Sequence, residues 1–156
     1  MRSFVAWHYE RHAADRHMID SYFDAQDFET ELRNLPGDFA PPEGALLVAE
    51  HDGQIAGCVA LQPLGNGACE MKRMFVSPEH HGKGLGMQLG RAIVNEARRI
   101  GYRKIMLDTG PAQWEAQGLY RKLGFRNVEP YHDLSPQLRE WLVFMELDLT
   151  GIIHDG

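Results

Sequence analysis

Glu70-Met71-Lys72-Arg73-Met74-Phe75-Val76-Ser77-Pro78-Glu79-His80-His81-Gly82-Lys83-Gly84-Leu85-Gly86 is the stretch that decides the fold. It reads as a strand that runs through a Ser-Pro turn into alternate glycines opening a helix. Gly82, Gly84 and Gly86 carry no Cβ, so the backbone can approach a ligand closely and take torsions closed to other residues. The helix that follows aims its unpaired N–H groups outward, and such a junction predicts an anion seat for a phosphate or diphosphate. The Rossmann pattern G-x-G-x-x-G fails at Met87, and the Walker pattern fails because Gly84, not Ser or Thr, follows Gly82-Lys83.

Working towards the N-terminus, residues 68–76, 55–61 and 45–49 are strand-like runs. The turns between them, at 63–67 and at His51-Asp52-Gly53, make an antiparallel meander with an Asp-Gly hairpin. The stretch 35–44, with three prolines and two glycines, is a turn. Residues 9–35 are polar with scattered Ile19, Phe23, Phe28 and Leu32, which suits one or two short helices, and 1–7 read as a first strand or a frayed end.

Towards the C-terminus, Leu89, Ile93, Val94, Ala97 and Ile100 mark one face of a helix from about Met87 that Gly101 stops. A strand at 104–109 follows. Ala116, Leu119, Tyr120 and Leu123 again repeat at helical spacing before Gly124, and a short strand is expected at 125–128 and a last strand at 141–149. The strand-helix-strand around the glycines should be a right-handed parallel crossover, which gives an α/β (α+β) class with a mixed sheet.

The 156 residues amount to one domain, 1–156, long enough to remove roughly two thirds of the unfolded surface from water. No apolar run approaches a membrane span and no signal-like stretch opens the chain, so the expectation is a soluble, cytoplasmic protein without membrane partners. The net charge of −6 disfavours nucleic acid. Cys58 and Cys69 lie in apolar stretches without metal spacing and read as buried free thiols. His8 and His12 have the i, i+4 spacing of a metal pair but no third ligand, so they read as a solvated helix face and no metal is expected.

The strand ending Met-Phe-Val, the five residues to His81 and the Gly-Lys-Gly-Leu-Gly that follows resemble the Gcn5-related N-acetyltransferase (GNAT) family. Leu107-Asp108-Thr109, Ala116-x-x-Leu119-Tyr120-x-x-Leu123-Gly124-Phe125 and Phe144-Met145-Glu146-Leu147 extend the likeness over roughly residues 28–149. His81 stands where the family signature has Gln or Arg, a change of small consequence if that residue serves through its backbone N–H. Gln113 replaces an Asn of many members.

The resemblance implies a mostly antiparallel central sheet of six to seven strands, flanked by about four helices and splayed between strands 68–76 and 104–109. It implies acetyl-CoA as co-substrate, held by Met74, Phe75, Val76, His81, Gly82, Lys83, Gly84, Leu85, Gly86, Met87 and Tyr120. A bulge near Phe75 and Val76 would free an N–H for the oxyanion, and Tyr120 would protonate the leaving thiolate. Glu70, six residues before Val76 and so on its strand face, would be the base that frees the lone pair of a small-molecule or peptide amine. Tyr22, Phe39 and Tyr131-His132-Asp133 are candidate walls for the acceptor. A homodimer is a family-level expectation, and a non-catalytic CoA-binding module or transfer of a longer acyl group stay open beside acetyl transfer.

Overall fold

The computed structural model describes residues 2–26, 28–131 and 134–151. Its sheet has six strands, β1 (Ala45–His51), β2 (Gln54–Gly65), β3 (Ala68–Val76), β4 (Lys104–Thr109), β5 (Arg126–Val128) and β6 (Val143–Asp148), in the spatial order β1-β2-β3-β4-β6-β5. Only β3 and β4 run parallel; the other four pairings are antiparallel. The hairpin expected at Asp52-Gly53 forms with both residues at positive φ. The second turn is shorter than 63–67. Pro63 is still paired, to Cys69, and the chain reverses at Asn66-Gly67, both again at positive φ.

Six helices accompany the sheet among the described residues, against about four expected: α1 (Arg2–Arg11), α2 (Arg16–Gln26), α3 (Phe28–Arg33), α4 (Leu85–Ile100), α5 (Trp114–Leu123) and α6 (Pro136–Trp141). The expectation of a strand or frayed end at 1–7 is corrected from Arg2 onward. Val5 and Tyr9 recur at helical spacing and pack with Ile19 and Phe23 of α2, so a helix buries what a strand would expose. Met1 lies outside the described residues. The last strand also starts later than 141, because Ser135 caps a helical turn. Its hydroxyl accepts the Leu138 N–H at 3.3 Å with Pro136 at the first helical position.

The main core lies between the sheet and the α4/α5 layer, where Ile93 and Ala97 of α4 meet Val59, Leu61, Ile105 and Met145, all fully buried. Gly101 ends α4 in the left-handed region and donates to the carbonyls of Ala97 and Arg98. Two smaller clusters on the opposite face hold α1, α2 and α6, around Ile19 and Phe23 and around Met18, Leu138 and Phe144.

Candidate active site

β3 and β4 are paired only from Ala68↔Lys104 to Glu70↔Met106. Beyond that point they part, leaving the β4-facing edge of residues 71–76 without a strand partner. The cause is local. On β2 the register advances two residues, from Cys58 to Ala60, while on β3 it advances three, from Phe75 back to Lys72. The extra residue is a bulge, with Arg73 in the left-handed region at φ 59°. Arg73 is 3% exposed, and Glu31 of α3 receives both its Nε and its terminal nitrogen, at 2.7 and 2.8 Å. An ion pair therefore pins the bulge that opens the sheet.

The bulge overturns one sequence expectation. Glu70 and Val76 do not share a face: one extra residue between them reverses the alternation. Met74 and Val76 pack toward the α4/α5 core, whereas Phe75 joins the cluster under α1 and α2.

Beside the splay the glycine turn is open. Gly82 and Gly84 take φ 81° and 77°, and nothing lies within 4 Å of where a Cβ would stand on either. Gly84 is the N-cap of α4 without a side-chain cap, so the first N–H groups of that helix face outward. Gly86 serves packing instead: its missing Cβ would lie 3.1 Å from Leu119 Cδ1 of α5. The expectation that His81 serves through its backbone N–H is corrected too. That N–H donates to the Pro78 carbonyl at 3.2 Å, and the ring Nε2–H donates to the Val76 carbonyl at 2.7 Å.

A cavity of about 40 Å³ lies on the α1/α2 side of the splay, room for roughly three waters at ~10–15 Å³ each. Among the proposed site residues it is lined by Glu70, Met74 and Tyr120; Phe75, Val76 and residues 81–87 lie outside it. Tyr22 also lines it and donates to Asp108 at 2.8 Å, while Phe39 is buried elsewhere. Tyr131 reaches Glu70; His132 and Asp133 lie outside the described residues.

Glu70 is 1% exposed, with one carboxylate oxygen accepting from Gln62 at 2.9 Å and the other from Tyr131 at 2.7 Å. Lys72 Nζ stands 3.9 Å away; burial, then Arg73, holds its pKa below the ordinary lysine value. The Tyr120 hydroxyl has no hydrogen-bond partner among the described residues, and burial, then Asp108, pushes its pKa up.

The reading of His8 and His12 as a solvated face is wrong. They are 8% and 2% exposed and line the cavity, stacked on each other at 5.8 Å, with His12 edge-on to Trp141 at 5.2 Å. Burial, then the neighbouring His12, lowers the His8 pKa to about 3. The i, i+4 spacing that suggests a metal pair is also the spacing of one buried helix face. No cluster of three or more metal-ligating side chains is present among the described residues.

The sequence profile of the Acetyltransferase (GNAT) family matches residues 5–125. An uncharacterized N-acetyltransferase of Schizosaccharomyces pombe is 38% identical over 128 residues, covering 80% of this chain and 76% of the relative. The crystal structure of a Klebsiella pneumoniae protein named as an acyl-CoA N-acyltransferase superposes with a TM-score of 0.66 at 28% identity, over 85% of this chain and 90% of that one. A Salmonella typhimurium acetyltransferase solved with acetyl-CoA superposes with a TM-score of 0.55 at 25% identity, over 71% of this chain and 68% of that one. The chain belongs to the GNAT acetyltransferase family. It is accordingly an acyltransferase, with the six-stranded, mostly antiparallel open sheet of that fold.

Proposed function

We propose that the protein transfers acetyl from acetyl-CoA to a primary amine by direct attack in a ternary complex. The observation that carries this reading is the opening of β3 from β4 beside an uncapped, glycine-lined helix start. Open space at Gly82 and Gly84 fits a diphosphate between His81 and Met87, received by the N–H groups of Lys83, Gly84, Leu85, Gly86 and Met87. The unpaired edge at Met74, Phe75 and Val76 fits a pantetheine arm lying as an added strand. The acetyl-CoA seen in the Salmonella relative supports the same choice of co-substrate.

On this reading a freed N–H near Phe75 or Val76 stabilises the oxyanion, an effect worth about 3 kcal/mol per donor. Tyr120, whose hydroxyl has no hydrogen-bond partner among the described residues, gives its proton to the departing thiolate. Glu70 and Asp108 line the cavity beside Lys72 and Arg73 and offer carboxylate oxygens that can hold a cationic amine by hydrogen bonds. The chain would act as one domain.

Titration calorimetry with acetyl-CoA tests the cofactor seat. Gly84→Glu, which puts a like charge and a strained φ into the loop, should abolish binding without unfolding the protein. Wild-type affinity in that variant would reject the loop. CoA release with a panel of amines separates transfer from mere binding.

A further inference from the structure

His12 lines the cavity and carries a lone pair that no group among the described residues answers. Its Nδ1 lies 3.2 Å from the His8 carbonyl oxygen. A carbonyl only accepts, so Nδ1 carries the proton and Nε2 is the bare, accepting nitrogen. That nitrogen is buried and without a hydrogen-bond partner among the described residues, and so is Thr109 Oγ1 at the end of β4. Both residues line the cavity together with Tyr120. A buried polar group left unanswered is unfavourable, so two of them on residues lining one polar cavity mark where a ligand's donors belong. The fold also makes room for the ring: a Cβ on residue 110 would stand 2.4 Å from His12 Nε2, so glycine there is a condition of this pose.

We propose that His12 Nε2 takes the proton of the attacking amine, with Thr109 Oγ1 accepting a second N–H and orienting it. The proposal rests on the acetyl-transfer reading and names the proton acceptor within it. Glu70 is left out of this proton transfer, its two oxygens already holding hydrogen bonds from Gln62 and Tyr131.

The step balances within the site. The neutral amine nitrogen forms a bond to the acetyl carbonyl carbon, and the proton it sheds passes to His12 Nε2. The C–S bond breaks, and the sulfur takes the phenolic proton of Tyr120. The proton on His12 returns through solvent to the Tyr120 oxygen, restoring both groups. Burial keeps His12 below the ordinary imidazole pKa, with its backbone bond to His8 and nearby Asp15 opposing and Arg11 assisting, so the ring starts neutral near pH 7.

His12→Phe separates chemistry from packing. It keeps a ring between His8 and Trp141 and deletes the lone pair, while the His8 carbonyl still accepts the main-chain N–H of residue 12 at 2.9 Å. Spermidine and an N-terminal-alanine tripeptide serve as probe amines. The expected result is a melting temperature equal to or above wild type, unchanged acetyl-CoA affinity, and a kcat/KM for the amine lower by about 10²-fold or more. Should His12→Phe not fold, His12→Gln is expected to show the same kinetic loss. Nitrogen-15 histidine NMR of the wild type is expected to show the Nδ1–H tautomer at residue 12. Wild-type kcat/KM in the folded variant, or a proton found on Nε2, overturns the proposal and leaves acetyl transfer standing. A wild type that fails to bind acetyl-CoA, or releases no CoA with either amine, overturns the acetyl-transfer reading and this proposal with it.

Discussion

On α5 the Tyr120 side chain is 5% exposed, lines the cavity and keeps its hydroxyl clear of other described groups. A phenol ionises near ~10 in water, and burial raises that value further. The proton is therefore in place throughout the physiological range, which suits a donor and disqualifies a base. Tyr120→Phe removes the proton and keeps the ring packed against Phe125 at 5.8 Å. The expected outcome is a fall in kcat of about 10²-fold with acetyl-CoA affinity retained. Stopped assays of CoA release beside calorimetry check it, and a parallel loss of affinity would mean that the hydroxyl binds cofactor instead.

Among the elements, the position of β3 against β2 sets the mouth of the splay. Gly57 pairs with Val76 at that point, and a Cβ there would meet the Phe75 carbonyl oxygen at 2.5 Å and Leu89 Cδ1 at 3.2 Å. Carbonyl oxygen cannot step aside as a flexible side chain can. Gly57→Val should cost about 1–3 kcal/mol of stability by overpacking. It should also weaken acetyl-CoA binding, since Phe75 and Val76 must move; denaturant titration and calorimetry on the same sample measure the two effects.

The elements divide cleanly into those the sequence makes legible and those it hides. Residues 45–123 announce themselves because Asp52-Gly53, the alternate glycines, Gly101 and Gly124 punctuate long periodic runs. Near the N-terminus, α1 is hidden because its most buried described residue is a histidine, and His8, with His12 just past the helix end, reads as polar until Phe23 of α2 and Trp141 are seen against the two rings. The Ser135-Pro136 cap was a usable signal for α6, overshadowed by the apolar run beyond it. Nothing in the residue types marks the bulge, since Arg73 is no glycine; its left-handed backbone is held by Glu31, 42 positions away in the chain. The parity of Glu70 and Val76 therefore could not be read locally.

At the scale of the whole molecule, α1 crosses the open end of the splay and touches both of its banks. Trp7 meets Phe75 at 6.2 Å on the β3 side, and Arg11 reaches the Ala112 carbonyl at 3.0 Å and the Glu115 carboxylate on the α5 side. The Arg11 guanidinium also lies over both the Trp7 and Trp114 rings, at 4.8 and 5.5 Å. A ligand entering between β3 and β4 would replace the missing ladder and tighten both banks at once. Hydrogen exchange reads this directly, because protection follows the hydrogen bonds that close. Acetyl-CoA should slow exchange at 74–76 and at 84–88, and, through the shared cleft, at 107–113, while β1 and β5 at the two sheet edges stay unchanged. Protection confined to 107–113, with 84–88 exchanging as before, would place the cofactor away from the glycine turn; protection of 84–88 without 74–76 would leave the diphosphate seated there but the pantetheine lying off the β3 edge.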